Sequence, residues 1–310
     1  MKSIAFWLKA ARAPFLTGAA VPVFVGISVA WYTTHGVDWP LAGLTLLAML
    51  LLHTSANMSN DYLDHLTGDD AVNTEFVSPF TGGSRVIQQG LVSPRKMLAA
   101  ALLCTGLASV IGVYLFTVRG PLIIVLGLLG IAGGYFYTAP PFRFAYRGFG
   151  ELFIGLNFGV LPTVGAAFVQ TWADKFRLAF VPALVASIPV ALLIIAILWI
   201  NQFQDMNADA QVGKRNWVVR LGRKRASVVY AVMMLVTYGA IGVGVAVGQL
   251  PWQALLGLLA LPIAIGGIRT ALRCHDDIPR LTPANAATIG AHLATGLLLT
   301  IGIALGGRLG

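Results

Sequence analysis

Residues 41–70 read LAGLTLLAMLLLHTSANMSNDYLDHLTGDD, an apolar stretch that runs into a group of acidic side chains. Its uncharged part covers residues 39–60, and a helix needs about 20 apolar residues to cross the hydrocarbon layer of a membrane. Similar uncharged stretches recur at 13–37, 97–118, 120–142, 152–173, 178–204, 226–268 and 281–307. The repeated pattern predicts a protein built from membrane-spanning helices.

The stretch at 226–268 is too long for one crossing and contains a turn-like GQLP sequence at 248–251. Glycine and proline so close together favour a turn, and we therefore divide this stretch into two helices. The predicted fold class is all-α: a polytopic membrane bundle of nine transmembrane helices. No hydrophilic segment is long enough for a soluble domain, so residues 1–310 are interpreted as a single integral-membrane domain.

The composition supports this fold class. Of the 310 residues, 57% are apolar and only 11% are charged, and the mean hydropathy is +0.79. Soluble domains have about 25% charged residues, so these values exclude a soluble globular enzyme and also a disordered or collagen-like chain. The two cysteines, Cys104 and Cys274, provide neither a disulfide framework nor the spacing of a thiolate metal site.

The basic residues predict the orientation of the bundle. With nine crossings, 17 of the 21 Lys and Arg residues fall on the side of the amino terminus, and the other side holds Arg119, Lys175, Arg177 and Arg308. Basic residues concentrate in cytoplasmic loops, so we expect a protein of the cell (inner) membrane whose amino terminus faces the cytoplasm. The net charge of +9 is attributed to this topology, because no basic run with interleaved aromatics indicates nucleic-acid binding.

Two acidic groups end the second and sixth apolar segments on the predicted cytoplasmic side. They read NMSNDYLDHLTGDD at 57–70 and NQFQDMNADAQVGKR at 201–215. In each group three residues lie at the spacing that places them on one face of a helix: the first ladder is Asn57, Asp61 and Asp64, and the second ladder is Asn201, Asp205 and Asp209. Stacked carboxylates repel each other near a membrane unless a cation lies between them.

Oxygen ligands without a histidine or cysteine partner indicate Mg²⁺, which proteins bind through a few carboxylates together with substrate phosphates. The ladders therefore predict a diphosphate bridged by metal ions, and the basic residues near them are candidates for the remaining phosphate oxygens: Arg85, Lys214, Arg215 and Arg220. A single acid at a helix end is more often a solvated side chain. Two matched ladders favour a functional site, and their helices, four apart in order, hint at a duplicated four-helix unit.

The two ladders, the nine predicted helices and GKRNWVVRLG at 213–222 resemble the UbiA-type superfamily of membrane-embedded prenyltransferases over nearly the whole chain. Within it, the 1,4-dihydroxy-2-naphthoate polyprenyltransferases of menaquinone synthesis are most similar. The resemblance to them rests on GGSR at 82–85, YRGFGE at 146–151 and the first motif, with Asn57, Asn60, Asp61, Asp64, Gly68 and Asp70. One departure is NWVVR at 216–220, where those enzymes often carry a Thr-Leu-Ala-Val-Arg-like run.

The resemblance implies a Mg²⁺-dependent enzyme that transfers an isoprenyl chain from a prenyl diphosphate to an aromatic acceptor, above all 1,4-dihydroxy-2-naphthoate. The implied catalytic residues are Asp61, Asp64, Asp205 and Asp209, which hold Mg²⁺ together with Asn57 and Asn201. The implied substrate-binding residues are Arg12, Arg85, Lys214, Arg215, Arg220 and Tyr137. Neutralising the diphosphate makes it a better leaving group. The allylic cation must then be kept from water by walls such as Tyr135, Tyr137 and Phe142, although such aromatics more often belong to a bundle core.

Other residues carry weaker predictions. Arg12 resembles a family arginine near the diphosphate, although a topogenic charge explains it equally well. Glu151 and Arg147 are expected to form an ion pair that steadies a loop, in preference to taking a direct part in the chemistry. His292 is expected to be a buried, hydrogen-bonded histidine rather than a contact for an acceptor hydroxyl. His65 has no companion at metal-ligand spacing and is given no metal role.

Two alternative functions stay open. A secondary transporter also carries polar groups within the membrane, but they lie near the midplane, whereas here they gather at one rim. The second alternative is a relative with another acceptor, such as 4-hydroxybenzoate, homogentisate, a chlorin or a glycerol phosphate, because the shape of the pocket sets the acceptor. The expected partners are thus a prenyl diphosphate, an aromatic acceptor and membrane lipid, and the oligomeric state is left open.

Overall fold

The chain folds into a bundle of long helices joined by loops. The structure, a computed structural model, describes residues 4–172 and 175–309; Lys2, Asp174 and the side chain of Arg308 lie outside this part. Its long helices are labelled in chain order: α1 Thr17–Thr34, α2 Trp39–Thr67, α3 Pro94–Arg119, α4 Leu122–Thr138, α5 Gly150–Thr171, α6 Phe176–Gln211, α7 Arg223–Ala246, α8 Trp252–Cys274 and α9 Ile278–Leu309.

The helix lengths confirm the all-α class for the described residues, in which no strand occurs. Eight helices of this part of the chain are long and apolar enough to cross a membrane. α4 is also apolar, but it has only 17 residues. The predicted count of nine crossings and the predicted duplication of a four-helix unit are therefore not confirmed.

Local sequence sets both ends of α2. The Asp38 carboxylate accepts a hydrogen bond from Leu41 N (3.1 Å) and caps the first turn. Pro40 lies in that turn, where a missing N–H breaks no helical hydrogen bond. At the other end Gly68 has φ +79°, a left-handed conformation that glycine adopts readily and that ends the helix. α2 consequently continues through the whole first ladder.

α6 is the central helix of the bundle. It packs against α1, α5, α7 and α9, and Ile200 and Phe203 on it are completely buried. α2 packs chiefly against α3. On the outer face of α3, apolar side chains such as Leu102 and Leu103 are 61% and 63% exposed. An outward apolar face of this kind suits contact with lipid, because lipid tails are as apolar as leucine.

The two ends of the bundle differ in structure. Four short helices lie at the end where α2 and α6 carry the ladders: Ile4–Ala10, Asp69–Val72, Phe144–Arg147 and Trp217–Leu221. At the opposite end, Arg119 Nη2 lies 3.1 Å from Asp38 Oδ2. The Arg119 Nε also donates to Val169 O at 2.6 Å, so Arg119 ties the end of α3 to the start of α2 and to the end of α5.

Candidate active site

The ends of α2 and α6 meet around one ammonium group. Lys214 Nζ lies 3.2 Å from Asp64 Oδ1 on α2 and 3.5 Å from Asp209 Oδ1 on α6, and it also forms an ion pair with Asp69. The three carboxylate residues and the lysine are all buried. The two ladders, far apart in the sequence, are therefore adjacent in the folded chain.

A glycine turn brings Lys214 to this position. α6 ends at Gln211, and Gly213, with φ +80°, reverses the chain so that Lys214 N donates to Asp209 O at 2.8 Å. Burial lowers the pKa of Lys214, but attraction to Asp64, Asp209 and Asp69 outweighs it and raises the pKa well above its ordinary value. The side chain is consequently a permanent cation.

A second cation lies beside Asp61. This aspartate, 2% exposed, forms an ion pair with Arg12 and accepts a hydrogen bond from the Ser84 hydroxyl. Arg12 Nη2 also donates to Asn60 Oδ1 at 3.1 Å. Burial lowers the pKa of Arg12, but its attraction to Asp61 and other nearby carboxylates raises the pKa above the ordinary value. Arg12, predicted from sequence as a substrate-binding residue, thus lies in direct contact with the first ladder.

The GGSR loop closes over Asp61 because it contains glycine. Gly83 has φ +70°, and a Cβ there would lie 2.8 Å from Asp61 Oδ1 and 3.0 Å from Arg12 Nη2. The backbone N–H of the next residue, Ser84, donates to Asp61 Oδ2 at 3.2 Å. A side chain at this position would displace the Asp61 carboxylate or the Arg12 guanidinium and would strain the left-handed backbone.

Two further aspartates have amide partners. Asp205 Oδ1 accepts a hydrogen bond from Asn73 Nδ2 at 2.6 Å, and Asp70 Oδ2 accepts one from Gln88 Nε2 at 2.7 Å. Burial, followed by repulsion from the neighbouring carboxylates of the first ladder, raises the pKa of Asp70 to about 7. Segment 69–92 is therefore bonded to both ladders.

The two asparagines that begin the ladders contact neighbouring segments. Asn57 Nδ2 donates to Ala11 O at 2.9 Å and so holds the amino-terminal segment against α2. Asn201 Oδ1 accepts a hydrogen bond from Asn285 Nδ2 of α9 at 2.8 Å. Each amide thus connects its ladder to another element of the bundle.

Two of the predicted phosphate-binding arginines, Arg85 and Arg220, contact backbone carbonyls. Arg85 donates to Asp70 O and, at 2.6 Å, to Asn73 O. Arg220 is exposed, and it donates to Arg215 O at 2.7 Å and to Arg147 O at 2.9 Å. The Arg215 side chain is also exposed. These contacts fix the loops around the ladders.

Tyr137 and Glu151 lie on the inner side of this end. The Tyr137 side chain packs against Gly150, the residue before Glu151. Glu151 accepts hydrogen bonds from Gln202 Nε2 and Trp217 N, at 3.0 and 3.2 Å. Arg147, its expected ion-pair partner, instead donates to a backbone carbonyl, Pro141 O, at 3.2 Å. The loop is steadied by these neutral donors in place of the expected pair.

The histidines and aromatics divide between core and surface. His292 is completely buried as expected, but both of its ring nitrogens are without a hydrogen-bond partner among the described residues. His65 is exposed. Tyr135 and Phe142, candidates for a wall around the cation, are 57% and 47% exposed. Tyr137 is the more enclosed of the three named aromatics.

Sequence reasoning missed several residues of this site. Asp69 was visible beside the first ladder, yet its position outside the helical spacing gave it no role. Asn73 and Ser84 lie in an irregular segment, where spacing does not predict side-chain direction. Asn216 donates to Asp209 Oδ2 at 2.7 Å and also caps the short helix Trp217–Leu221. The sequence signal for Asn216 was its position just before a helix, where asparagine often caps the first turn.

The chemistry of the site fits a hard divalent cation. In the described part of the chain, no three His, Cys, Asp or Glu side chains are close enough together to hold a metal ion. The available donors around the ladders are nevertheless carboxylate and amide oxygens, the ligands that Mg²⁺ prefers. Asp69 Oδ1 and Asn73 Oδ1 are buried there without a hydrogen-bond partner among the described residues. Such oxygens are suited to a cation, since burial without a partner is costly.

Sequence comparisons connect this geometry with known proteins. A model of the UbiA prenyltransferase family matches residues 19–286. The 2-carboxy-1,4-naphthoquinone phytyltransferase of Synechocystis sp. is 31% identical over 298 residues, which cover 96% of this chain and 92% of that protein. The 1,4-dihydroxy-2-naphthoate octaprenyltransferase of Mycobacterium tuberculosis is 30% identical, and the match covers 97% of this chain and 99% of that protein.

Solved structures resemble the fold over nearly its whole length. A UbiA homolog from Aeropyrum pernix K1 superposes with a TM-score of 0.69 at 17% identity, covering 98% of this chain and 99% of that one. A UbiA homolog from Archaeoglobus fulgidus bound to GPP and Mg²⁺ gives a TM-score of 0.59 at 14% identity, covering 94% of this chain and 99% of that one. At these identities the likeness establishes the fold.

Proposed function

The chain belongs to the UbiA prenyltransferase family, and from this premise we propose that it transfers an isoprenyl chain from a prenyl diphosphate to 1,4-dihydroxy-2-naphthoate in menaquinone synthesis. That it is a prenyltransferase follows from the family and from the names of its relatives. The acceptor is inferred from the naphthoate named for several of them. The observation that carries the proposal is the meeting of two acidic ladders around one buried ammonium.

In this proposal the ladders hold Mg²⁺ through Asp61, Asp64, Asp205 and Asp209, with Asn57 and Asn201 at their inner ends. Bound Mg²⁺ supplies positive charge that neutralises the diphosphate and so makes it a better leaving group. The A. fulgidus homolog was solved with GPP and Mg²⁺, which supports the choice of this metal.

The chain adds its own fixed cations. Lys214 is buried, Arg12 is partly buried, and both face the carboxylates, so they are placed to bind diphosphate oxygens that lie between the ladders. Charged donors held in a water-poor site stabilise a leaving anion more than they would in bulk water. Arg85 and Arg220 act in this proposal through the loops whose carbonyls they bind, and the exposed Arg215 is placed in the loop that Arg220 holds.

The apolar part of the donor is directed into the bundle. Tyr137 lies next to the ladders and offers the face of an aromatic ring to an allylic cation. An apolar cavity of about 640 Å³ lies between α1, α2 and α9 toward the end of the bundle opposite the ladders, with Phe24 and Trp31 of α1 and Ile301 of α9 among its walls. A long polyprenyl tail is as apolar as these walls, so this cavity supports a route for the tail along α1.

The chain is a multi-pass membrane protein, since eight helices in its described residues can span a bilayer. We place it in the cell (inner) membrane with the amino terminus and the ladders facing the cytoplasm, because most basic residues lie at that end. In this topology α4 also crosses the membrane and brings the number of crossings to nine. Its 17 residues give a length of about 25 Å, which is near the lower limit for a span.

The proposal predicts that Asp61→Ala and Asp205→Ala each reduce prenyl transfer by at least ~100-fold, because each removes a metal-binding carboxylate. The assay uses purified protein in detergent, several isoprenyl diphosphates and a panel of aromatic acceptors, with and without Mg²⁺. The melting temperature and the elution volume establish that the variants are folded. The matched control is Asp276→Ala, which changes an exposed acid that belongs to neither ladder. This variant should keep wild-type turnover.

Near-normal turnover in either ladder variant would remove the metal hypothesis. Preference for 4-hydroxybenzoate, homogentisate, a chlorin or a glycerol phosphate over the naphthoate would leave the reaction class intact but replace the acceptor. Uptake of a polar solute into vesicles without any prenyl transfer would favour the transporter.

A further inference from the structure

One of the two carboxylate oxygens of Glu151 has no hydrogen-bond partner among the described residues. The side chain lies in the first turn of α5 and is 5% exposed. Oε1 accepts both of its described hydrogen bonds, from Gln202 Nε2 and Trp217 N. Oε2 is completely buried and has no hydrogen-bond partner among the described residues. A buried carboxylate oxygen without a donor is costly, so this atom points to a donor that the protein itself does not provide.

Two neighbouring groups have the same property. Gln202 Oε1 and the Tyr146 hydroxyl are also buried without a hydrogen-bond partner among the described residues. Gln202 is bonded to Glu151, and the Tyr146 ring lies 5.6 Å from Lys214 Nζ. The unpartnered atoms therefore belong to one wall, which is formed by the short helix Phe144–Arg147, the start of α5 and the facing part of α6.

This wall lies level with the inner part of the second ladder. Gln202 lies between Asn201 and Asp205 on α6, about 4.5 Å along the axis from Asp205 toward the bilayer. On the facing side, a Cβ at Gly150 would lie 3.1 Å from Tyr137 Cε2. Tyr137 and Glu151 are thus neighbours beside the ladders, so an acceptor ring bound at this wall would lie close to a donor whose diphosphate the ladders hold.

The structural role of Glu151 does not account for Oε2. Through Oε1 the side chain joins α5 to α6 and to the start of the helix Trp217–Leu221. Arg147, the nearby cation, donates to Pro141 O. This wall lacks hydrogen-bond donors, because the free carboxylate oxygen of Glu151 and the free amide oxygen of Gln202 are both acceptors. A ring that carries hydroxyl groups supplies such donors and also packs against tyrosine.

We propose that Glu151 binds the acceptor: its free oxygen Oε2 accepts a hydrogen bond from a hydroxyl group of the aromatic ring, beside Tyr146 and Gln202. This inference rests on the proposed function, since it assigns the acceptor side of the same site. The hydroxyl oxygen gains positive charge as the ring attacks the prenyl carbon. A carboxylate held against that hydroxyl therefore stabilises the transition state more than the ground state.

The test compares Glu151→Gln with the wild type. Both proteins are assayed with Mg²⁺, a prenyl diphosphate and one of two acceptors: 1,4-dihydroxy-2-naphthoate, or its methyl ether, in which the hydroxyl groups are methylated. The glutamine keeps an oxygen for Gln202 and Trp217 but presents an amide N–H₂ in place of Oε2. We expect kcat/KM for the hydroxylated acceptor to fall ~10- to 100-fold, the effect of losing a charge-assisted hydrogen bond. The methyl ether should react equally poorly with both proteins, so the variant loses its preference for hydroxyl.

Binding of the donor is measured separately, as the rise in melting temperature caused by a prenyl diphosphate with Mg²⁺ in the absence of acceptor. It should be unchanged in Glu151→Gln. Equal losses for both acceptors, or a weaker response to Mg²⁺, would assign Glu151 to a structural or metal role and overturn the proposal. Tyr146→Phe, which deletes one hydroxyl from the same wall, should also lower kcat/KM for the acceptor without changing donor binding. It provides the test if Glu151→Gln does not fold, and an unchanged kcat/KM would then count against the proposal.

Failure of the proposed function would be visible in the wild type alone. A wild-type protein that prenylates no hydroxylated aromatic ring contradicts the reaction itself. A wild-type protein that prenylates such a ring, combined with a Glu151→Gln protein that keeps its preference for hydroxyl, contradicts only the role of Glu151.

Discussion

Lys214 determines the electrostatics where the ladders meet. Its ammonium group forms ion pairs with three buried aspartates from three different segments. Removing one partner of a buried ion pair costs about 3–5 kcal/mol, because the remaining charge has neither water nor a counterion. Lys214 therefore contributes both to folding and, in the proposed reaction, to binding of the leaving diphosphate.

We predict that Lys214→Met lowers the melting temperature in a Mg²⁺-free buffer and reduces prenyl transfer by at least ~100-fold. Millimolar Mg²⁺ should raise the melting temperature of this variant more than that of the wild type, because its carboxylates lack an internal cation. Thermal unfolding in detergent and steady-state turnover measure the two effects. Lys224→Met changes an exposed lysine and should alter neither, and wild-type turnover in Lys214→Met would refute the assigned role.

At the level of residues, the sequence predicted the ladders but not the hydrogen-bond and ion-pair partners around them. The spacing of Asp61 and Asp64 on one helical face is a property of any helix, so it could be read directly. Arg85 is different, since it adopts φ +61° in an irregular segment and its guanidinium bonds to carbonyls of the same segment. No periodic pattern predicts that direction.

Among the helices, the approach of α1 to α5 is unusually close. A Cβ at Gly26 would lie 2.2 Å from Thr163 O and 2.9 Å from Ala166 Cβ. The obstacle is backbone, which cannot rotate away as a side chain can. Small residues at such contacts let membrane helices pack tightly, so this glycine sets the distance between the two helices.

Gly26→Ala should therefore destabilise the bundle by about 1–3 kcal/mol, the usual cost of overpacking, and lower the melting temperature in detergent. Gly112→Ala on α3 is the matched control, because a Cβ there meets no atom within 4 Å. It should be neutral or slightly stabilising, since alanine favours helix more than glycine does. Two variants with the same melting temperature would contradict the close contact.

The extents of the elements were only partly predictable. Uncharged stretches identified every long helix, because charged residues rarely enter a membrane span. They underestimated α2 and α6, which continue through the polar ladders to Thr67 and Gln211. The π-helical turn at Leu156–Val160 within α5 had no sequence signal, since it depends on packing against neighbouring helices.

For the whole molecule, charge is divided between the two ends of the bundle. Most basic and acidic residues lie at the ladder end, in loops and at helix ends, and Arg119, Lys175 and Arg177 lie at the other end together with Asp38. The sequence predicted this division because nine alternating segments leave little freedom in assigning sides. The predicted orientation in a membrane follows from the same count.

Cysteine labelling in intact cells tests that orientation. In a chain whose two cysteines are replaced by alanine, Lys175→Cys should react with a membrane-impermeant maleimide, whereas Lys96→Cys should react only after the cells are opened. Both lysines are exposed, so access of the reagent from one side of the membrane decides the result. The reverse pattern would invert the proposed topology, and labelling of both in intact cells would contradict the count of crossings between them.

The lysine at the junction of the ladders has a practical consequence for handling the enzyme. Its positive charge is covalently attached and is not removed by a chelator, so the acidic end keeps an internal counterion when divalent ions are withdrawn. Treatment with EDTA should accordingly silence turnover while leaving the protein soluble in detergent. Such material could be stored, mixed with substrates in the dormant state and then started synchronously by adding magnesium.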